Sequence, residues 1–341
     1  MKNLLHLIFT SLFIIGVLFT SSAISAEANK PGQIKGGAVH EAPEWFKESF
    51  LEVQDDVDEA TEANKHVLLF FQLNGCPYCD RMLHESFETE PLTGYIKQNF
   101  DTIAINVKGD RDIAFNEEIS VTEKELSEIL KVRATPAILF LNSDNKTVVR
   151  VNGYRAPERF RQVLEYVSSK GYEQGTLADY FDKKLAKNIY KLRDSKLFKK
   201  ETDLSTVKGP LALIFEDGSC FDCNELHEKI LSKPEVQKEL NAFTVIRLHV
   251  GSGSIITDLE GNRATAKSLA QKYDMTYRPG VLLFDQGKLV RRYDSLLFSY
   301  HFKEGFRYVS GGHYKTEDYG SYSEKRTEEL LSAGIDIDLG H

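Results

Sequence analysis

Two cysteine pairs of identical spacing, Cys76-Pro77-Tyr78-Cys79 and Cys220-Phe221-Asp222-Cys223, constrain this chain more than any other feature. Each follows a short apolar run, His66 to Phe71 and Leu211 to Phe215, too brief for a helix and suited to a buried strand. The surroundings recur too. The first cysteines lie 144 residues apart, and the Leu-His-Glu triplets at Leu83 and Leu226 lie 143 apart, as do Pro136 and Pro279. Tyr166 and Tyr308 are 142 apart, as are Tyr172 and Tyr314. So steady an offset marks a duplicated domain, and two large copies do not make a solenoid.

Four cysteines in 341 residues are too few for a small disulfide scaffold. The 140 residues between the pairs far exceed zinc-ribbon spacing, so neither a metal nor any other cofactor is expected. With 43 Lys+Arg against 51 Asp+Glu, the chain lacks the field of a nucleic-acid binder, and nucleic acid is not an expected partner.

A Cys-x-x-Cys between a strand and a helix places its first sulfur at the helix N-terminus. Unpaired N–H groups and the helix dipole favour an anion there, drawing the thiol below its usual pKa of about 8.5. The thiolate attacks a disulfide, and the second cysteine resolves the mixed disulfide. Cys76 is therefore the expected nucleophile and Cys79 the resolving thiol, with Cys220 and Cys223 in the same roles. A proline some 60 residues on, directly before a buried strand, marks a turn or a cis bond; Pro136 and Pro279 stand there.

Along the chain, residues 1–26 read as a secretory signal peptide: Lys2, an apolar run from Leu4 to Thr20, then small residues. An uncleaved anchor is the alternative, and the mature part is exported either way. A flexible tether follows over 27–41. The first domain spans 42–172 and opens on a helix carrying Trp45, Phe46, Phe50, Leu51, Val53 and Val57. A linker helix lies within 173–205, a second domain spans 206–315, and 316–341 form a polar, partly ordered tail. The strand–helix order β-α-β-α-β-β-α in each copy implies an α/β fold, a mixed sheet flanked by helices, with irregular inserts near Gly109 to Thr122 and Gly251 to Asn262.

A strand, a Cys-x-x-Cys, a helix and a later proline together resemble the thioredoxin fold, twice over. In detail, Leu69-Phe70-Phe71 before the first pair, Ala134-Thr135-Pro136-Ala137, Gly153-Tyr154 and Leu164-Glu165-Tyr166-Val167 resemble SoxW-type and Dsb-type exported oxidoreductases. The resemblance implies cis Pro136 and cis Pro279 against the sulfurs, with Thr135 and Arg278 offering backbone groups to substrate. It also implies a periplasmic thiol–disulfide oxidoreductase reducing disulfides or cysteine sulfur adducts of exported proteins, re-reduced by a membrane thiol-electron transporter. A Dsb-like oxidase or isomerase, or a redox-degenerate binding module, is the alternative. The buried acid that thioredoxins carry in the preceding strand is replaced by Phe70 and Ile214. The Pro-Tyr dipeptide is that of glutaredoxins, which implies a weaker reductant than thioredoxin, at about −270 mV. In the second pair, Asp222 is expected to raise the Cys220 pKa, with Arg278 as a possible offset. His84 and His227 are expected in surface or packing roles.

Overall fold

The computed structural model describes residues 30–184 and 189–340. The signal-peptide segment therefore lies outside the described residues. A short strand β1 (Ile34–Lys35) leads to helix α1 (Val53–Glu62) and the central strand β2 (His66–Gln72), six of whose seven residues are buried. Helix α2 (Pro77–Met82) continues into a wider turn, Leu83–Phe87, and α3 (Leu92–Asn99) precedes β3 (Phe100–Asn106). Then come β4 (Asp112–Asn116), β5 (Ile119–Thr122), α4 (Glu123–Ile129), β6 (Ala137–Leu141), β7 (Thr147–Asn152) and α5 (Pro157–Ser168).

The sheet order is β3-β2-β6-β7, with β2 and β3 parallel and the other neighbours antiparallel. Alternating side chains of the buried strands feed two cores. Leu68 and Phe70 face the helices α2, α3 and α5, while Leu69 and Phe71 face α1 and α4.

The second copy repeats this after α6 (Leu177–Lys184): β8 (Leu211–Glu216), α7 (Cys223–Glu225), a wide turn Leu226–Ile230, α8 (Pro234–Leu240), β9 (Thr244–His249), β10 (Ile255–Thr257) and β11 (Arg263–Thr265). It ends with α9 (Ala266–Lys272), β12 (Gly280–Asp285), β13 (Lys288–Tyr293) and α10 (Ser299–Ser310). Its sheet order, β13-β12-β8-β9, matches the first strand for strand.

Four local expectations are corrected. The stretch from Ala42 is not helical before Val53, because Leu51 adopts a left-handed φ of 64° that no helix passes through. Trp45 and Phe46 instead pack on Phe87 and edge-to-face on each other. The expected linker helix ends at Lys184 among the described residues, and beyond it both Ile189 and Tyr190 donate their N–H groups to Gly218 O. The two inserts form hairpins, β4–β5 and β10–β11. The polar tail is ordered as α11 (Tyr319–Ser332), capped by the Asp318 carboxylate, and β14 (Ile337–Asp338), which pairs with β1. Among the described residues no helix is long and apolar enough to cross a membrane.

Candidate active site

Cys76 is the N-cap of α2, and Pro77 occupies the first helical turn, where its missing N–H costs nothing. The Cys79 N–H donates to Cys76 Sγ at 3.1 Å, and the Thr135 hydroxyl donates to the same sulfur at 3.3 Å. Both pairs are disulfide-bonded, with Cα separations of 5.3 and 5.5 Å. Once the first is reduced, these two donors stabilise a thiolate at Cys76. The Thr135–Pro136 and Arg278–Pro279 bonds are both cis. Cys76 is 6% exposed; Cys79 is fully buried.

The second pair is built differently. Its helix starts only at Cys223, with Asp222 as N-cap, so Cys220 stands outside the helix terminus that the spacing promised. No proline follows Cys220 to set the helical φ early. Cys220 is 1% exposed and Cys223 fully buried, and the pair shares a small buried cluster with Tyr190. Asp222 is buried and accepts from Tyr277 Oη at 2.5 Å, and burial holds its carboxyl above the ordinary range. The Arg278 guanidinium donates from Nε to Asp217 Oδ2 at 3.0 Å, and the charges of Arg155 and Arg81 of the first domain act against that rise at Asp222, Arg155 lying over the Tyr277 ring at 4.5 Å.

A buried acid is absent at Phe70 and Ile214, yet the second domain holds one two residues further on. Glu216 ends β8 fully buried, accepting from His227 Nε2 at 2.7 Å and from Tyr190 Oη at 3.2 Å. Its counterpart 144 residues earlier is Gln72, which cannot ionise. The repeated histidines thus diverge: His84 lies on the surface beside Asp80 and Glu88, whereas His227 joins this inner cluster. The visible signal was a glutamate closing a run of five apolar residues.

Sequence reasoning missed the contact between the domains. The Tyr78 hydroxyl accepts the Phe298 N–H at 2.7 Å and is hydrogen-bonded to His301 Nδ1 at 3.0 Å, and the Tyr78 and Phe298 rings stack at 4.5 Å. Arg81 grips Glu225 with both terminal nitrogens, at 3.1 and 3.0 Å. Arg159 reaches toward Ser219 O at 3.5 Å and sits 5.6 Å from the Phe221 ring centre. Burial lowers the His301 pKa to about 4, so its ring is neutral at physiological pH.

A family model for the thioredoxin-like domain matches this chain twice, over residues 53–168 and 199–310. The chain belongs to the thioredoxin-like family. With a Cys-x-x-Cys pair at disulfide distance in each domain, it is a thioredoxin-like thiol–disulfide oxidoreductase. It is similar to a thioredoxin-fold protein from Helicobacter pylori, at 27% identity over 35% of this chain and 84% of that one, with a TM-score of 0.32. It is also similar to the oxidised C-terminal domain of DsbD from Neisseria meningitidis, at 19% identity over 36% of this chain and 92% of that one, with a TM-score of 0.25. A thioredoxin from Thermus thermophilus shares 22% identity over 37% of this chain and 90% of that one, with a TM-score of 0.30. No curated protein matches the chain.

Proposed function

We propose that the protein is an exported, periplasmic reductant of disulfides in exported proteins, working through Cys76 and Cys79. One observation carries the reading: Cys76 has two hydrogen-bond donors on its sulfur and is the only one of the four cysteines more than 1% exposed. The Cys76 thiolate attacks one sulfur of the partner's disulfide, forming a mixed disulfide and expelling the partner's other sulfur as a thiolate. Cys79, deprotonated, then attacks Cys76 and releases the second partner sulfur. The partner gains two electrons and two protons, and the Cys76–Cys79 pair is left oxidised.

Thr135 and cis Pro136 border the nucleophile and supply the edge a partner polypeptide lies against; Arg278 and cis Pro279 hold the equivalent place in the second domain. The signal-like first 26 residues support export, and a membrane thiol-electron transporter is the donor that location calls for. The deciding experiment combines redox titration against glutathione with partner trapping on Cys79→Ser in periplasmic extracts. A potential between about −270 and −200 mV with mixed disulfides on Cys76 is expected; a potential near −120 mV would make the protein an oxidant instead.

A further inference from the structure

The two domains pack so that equivalent positions of the duplication meet each other. Arg81 and Glu225, 144 residues apart, form the two-pronged ion pair. Gly153 and Ser295, 142 apart and each just past the last strand of its sheet, are so close that a side chain on Gly153 would strike Ser295. Arg159 and His301, again 142 apart, each approach the dipeptide between the other domain's cysteines. Each redox site is thus approached by the start of the helix that follows the opposite domain's sheet, α5 or α10.

The cover is unequal. Around the second pair, Ser219, Asp222 and Tyr277 are all buried, and Tyr190 packs with the two cysteines in one buried cluster. Around the first, the Tyr78 side is closed by Phe298 and His301, while Asn74, Arg133 and Ala134 are exposed and Gly75 and Thr135 half-buried. Gly37 of the N-terminal segment borders the open side, close enough that a side chain there would touch the Gly75 backbone.

We propose that Phe298 and His301 are specificity-determining residues for exchange at Cys76. They wall off the Tyr78 side, so a partner reaches the sulfur only across Asn74–Gly75 and Ala134–Thr135. A disulfide carried on an exposed, extended segment passes there, while one set in the convex surface of a folded protein meets the second domain. This rests on Cys76 being the exchanging sulfur and adds which disulfides it accepts.

The test compares reduced wild type and variants on three probes: dithiobisnitrobenzoate, a linear peptide with a cystine link, and insulin. Glu225→Arg sets two guanidinium groups against each other across the interface and loosens the cover without touching the nucleophile. It is expected to raise kcat/KM on insulin about tenfold while the two small probes change less than about twofold. His301→Ala is expected to shift the same ratio in the same direction. The doubly reversed Arg81→Glu/Glu225→Arg protein restores the ion pair and should return the ratio to that of wild type. An unchanged insulin-to-peptide ratio in both Glu225→Arg and His301→Ala overturns the proposal, as does a parallel change on all three probes. A reduced wild type inert even to dithiobisnitrobenzoate would instead overturn the assignment of Cys76.

Discussion

The hydroxyl of Thr135 gives the most direct handle on the nucleophile. Thr135→Val keeps the β-branched shape beside the cis proline and removes only the hydrogen bond to Cys76 Sγ, 3.3 Å long in the oxidised protein. A hydrogen bond to a charged group contributes about 1.5–3 kcal/mol, and a long contact to sulfur at a half-buried position belongs below that range, at about 1 kcal/mol. Because the hydroxyl favours the thiolate, its loss raises the Cys76 pKa, and at 1.36 kcal/mol per unit the rise is about 0.7 unit. The fraction of thiolate below the pKa then falls about fivefold, so alkylation at neutral pH slows by that factor if the pKa lies above neutrality. The plateau rate at high pH, which reads the thiolate itself, stays nearly the same. The assay is the pH profile of iodoacetamide alkylation of the reduced protein in a Cys79→Ser background. A profile that does not move, or that moves to lower pH, would refute the idea that Thr135 stabilises the anion.

Two further outcomes follow from the interior. His301 is held neutral by burial, with a pKa of about 4 against about 6.5 unfolded, so the unfolded chain takes up a proton that the folded one refuses. Stability from this residue is complete above about pH 6.5 and is lost as pH falls toward 4; His301→Gln should therefore flatten the fall of Tm across that window, measured by calorimetry, and an identical slope would contradict the neutral buried ring. Tyr190 packs with the second disulfide in one buried cluster in which Cys220 is only 1% exposed, so mass spectrometry during timed dithiothreitol reduction should find Cys76–Cys79 opened first, and Tyr190→Ala should speed opening of Cys220–Cys223 about tenfold or more; reduction in the reverse order would show that Tyr190 is no barrier.

Much of the fold was legible because it follows from local pattern. Apolar runs of strand length, a proline before a buried strand and a duplicated Cys-x-x-Cys each have one economical structural solution, and both sheets formed accordingly. What failed did so where backbone conformation or capping overrode residue type. Leu51, in an apolar series that reads as helix, turns left-handed and breaks it. Asp222 takes the N-cap position of α7 with its carboxylate turned to Tyr277, so equal cysteine spacing yields one sulfur at a helix terminus and one outside it. The face-to-face packing was hidden for a different reason: overlaying the repeats asks which positions are alike, whereas an interface about a pseudo-twofold axis depends on equivalent positions being complementary. Arg81 and Glu225 are the case in point. As aligned residues of opposite charge they look like drift between copies, yet their opposition is what lets the copies join. The same logic separates the two redox sites. Tyr78 needs Phe298 and His301 to be held, and Asp222 needs Tyr277, with Arg155 across the interface, to be tolerated in the interior. Each Cys-x-x-Cys thus has at least one of its two intervening residues fitted to the opposite domain, and the chemistry of either pair is a property of both domains together.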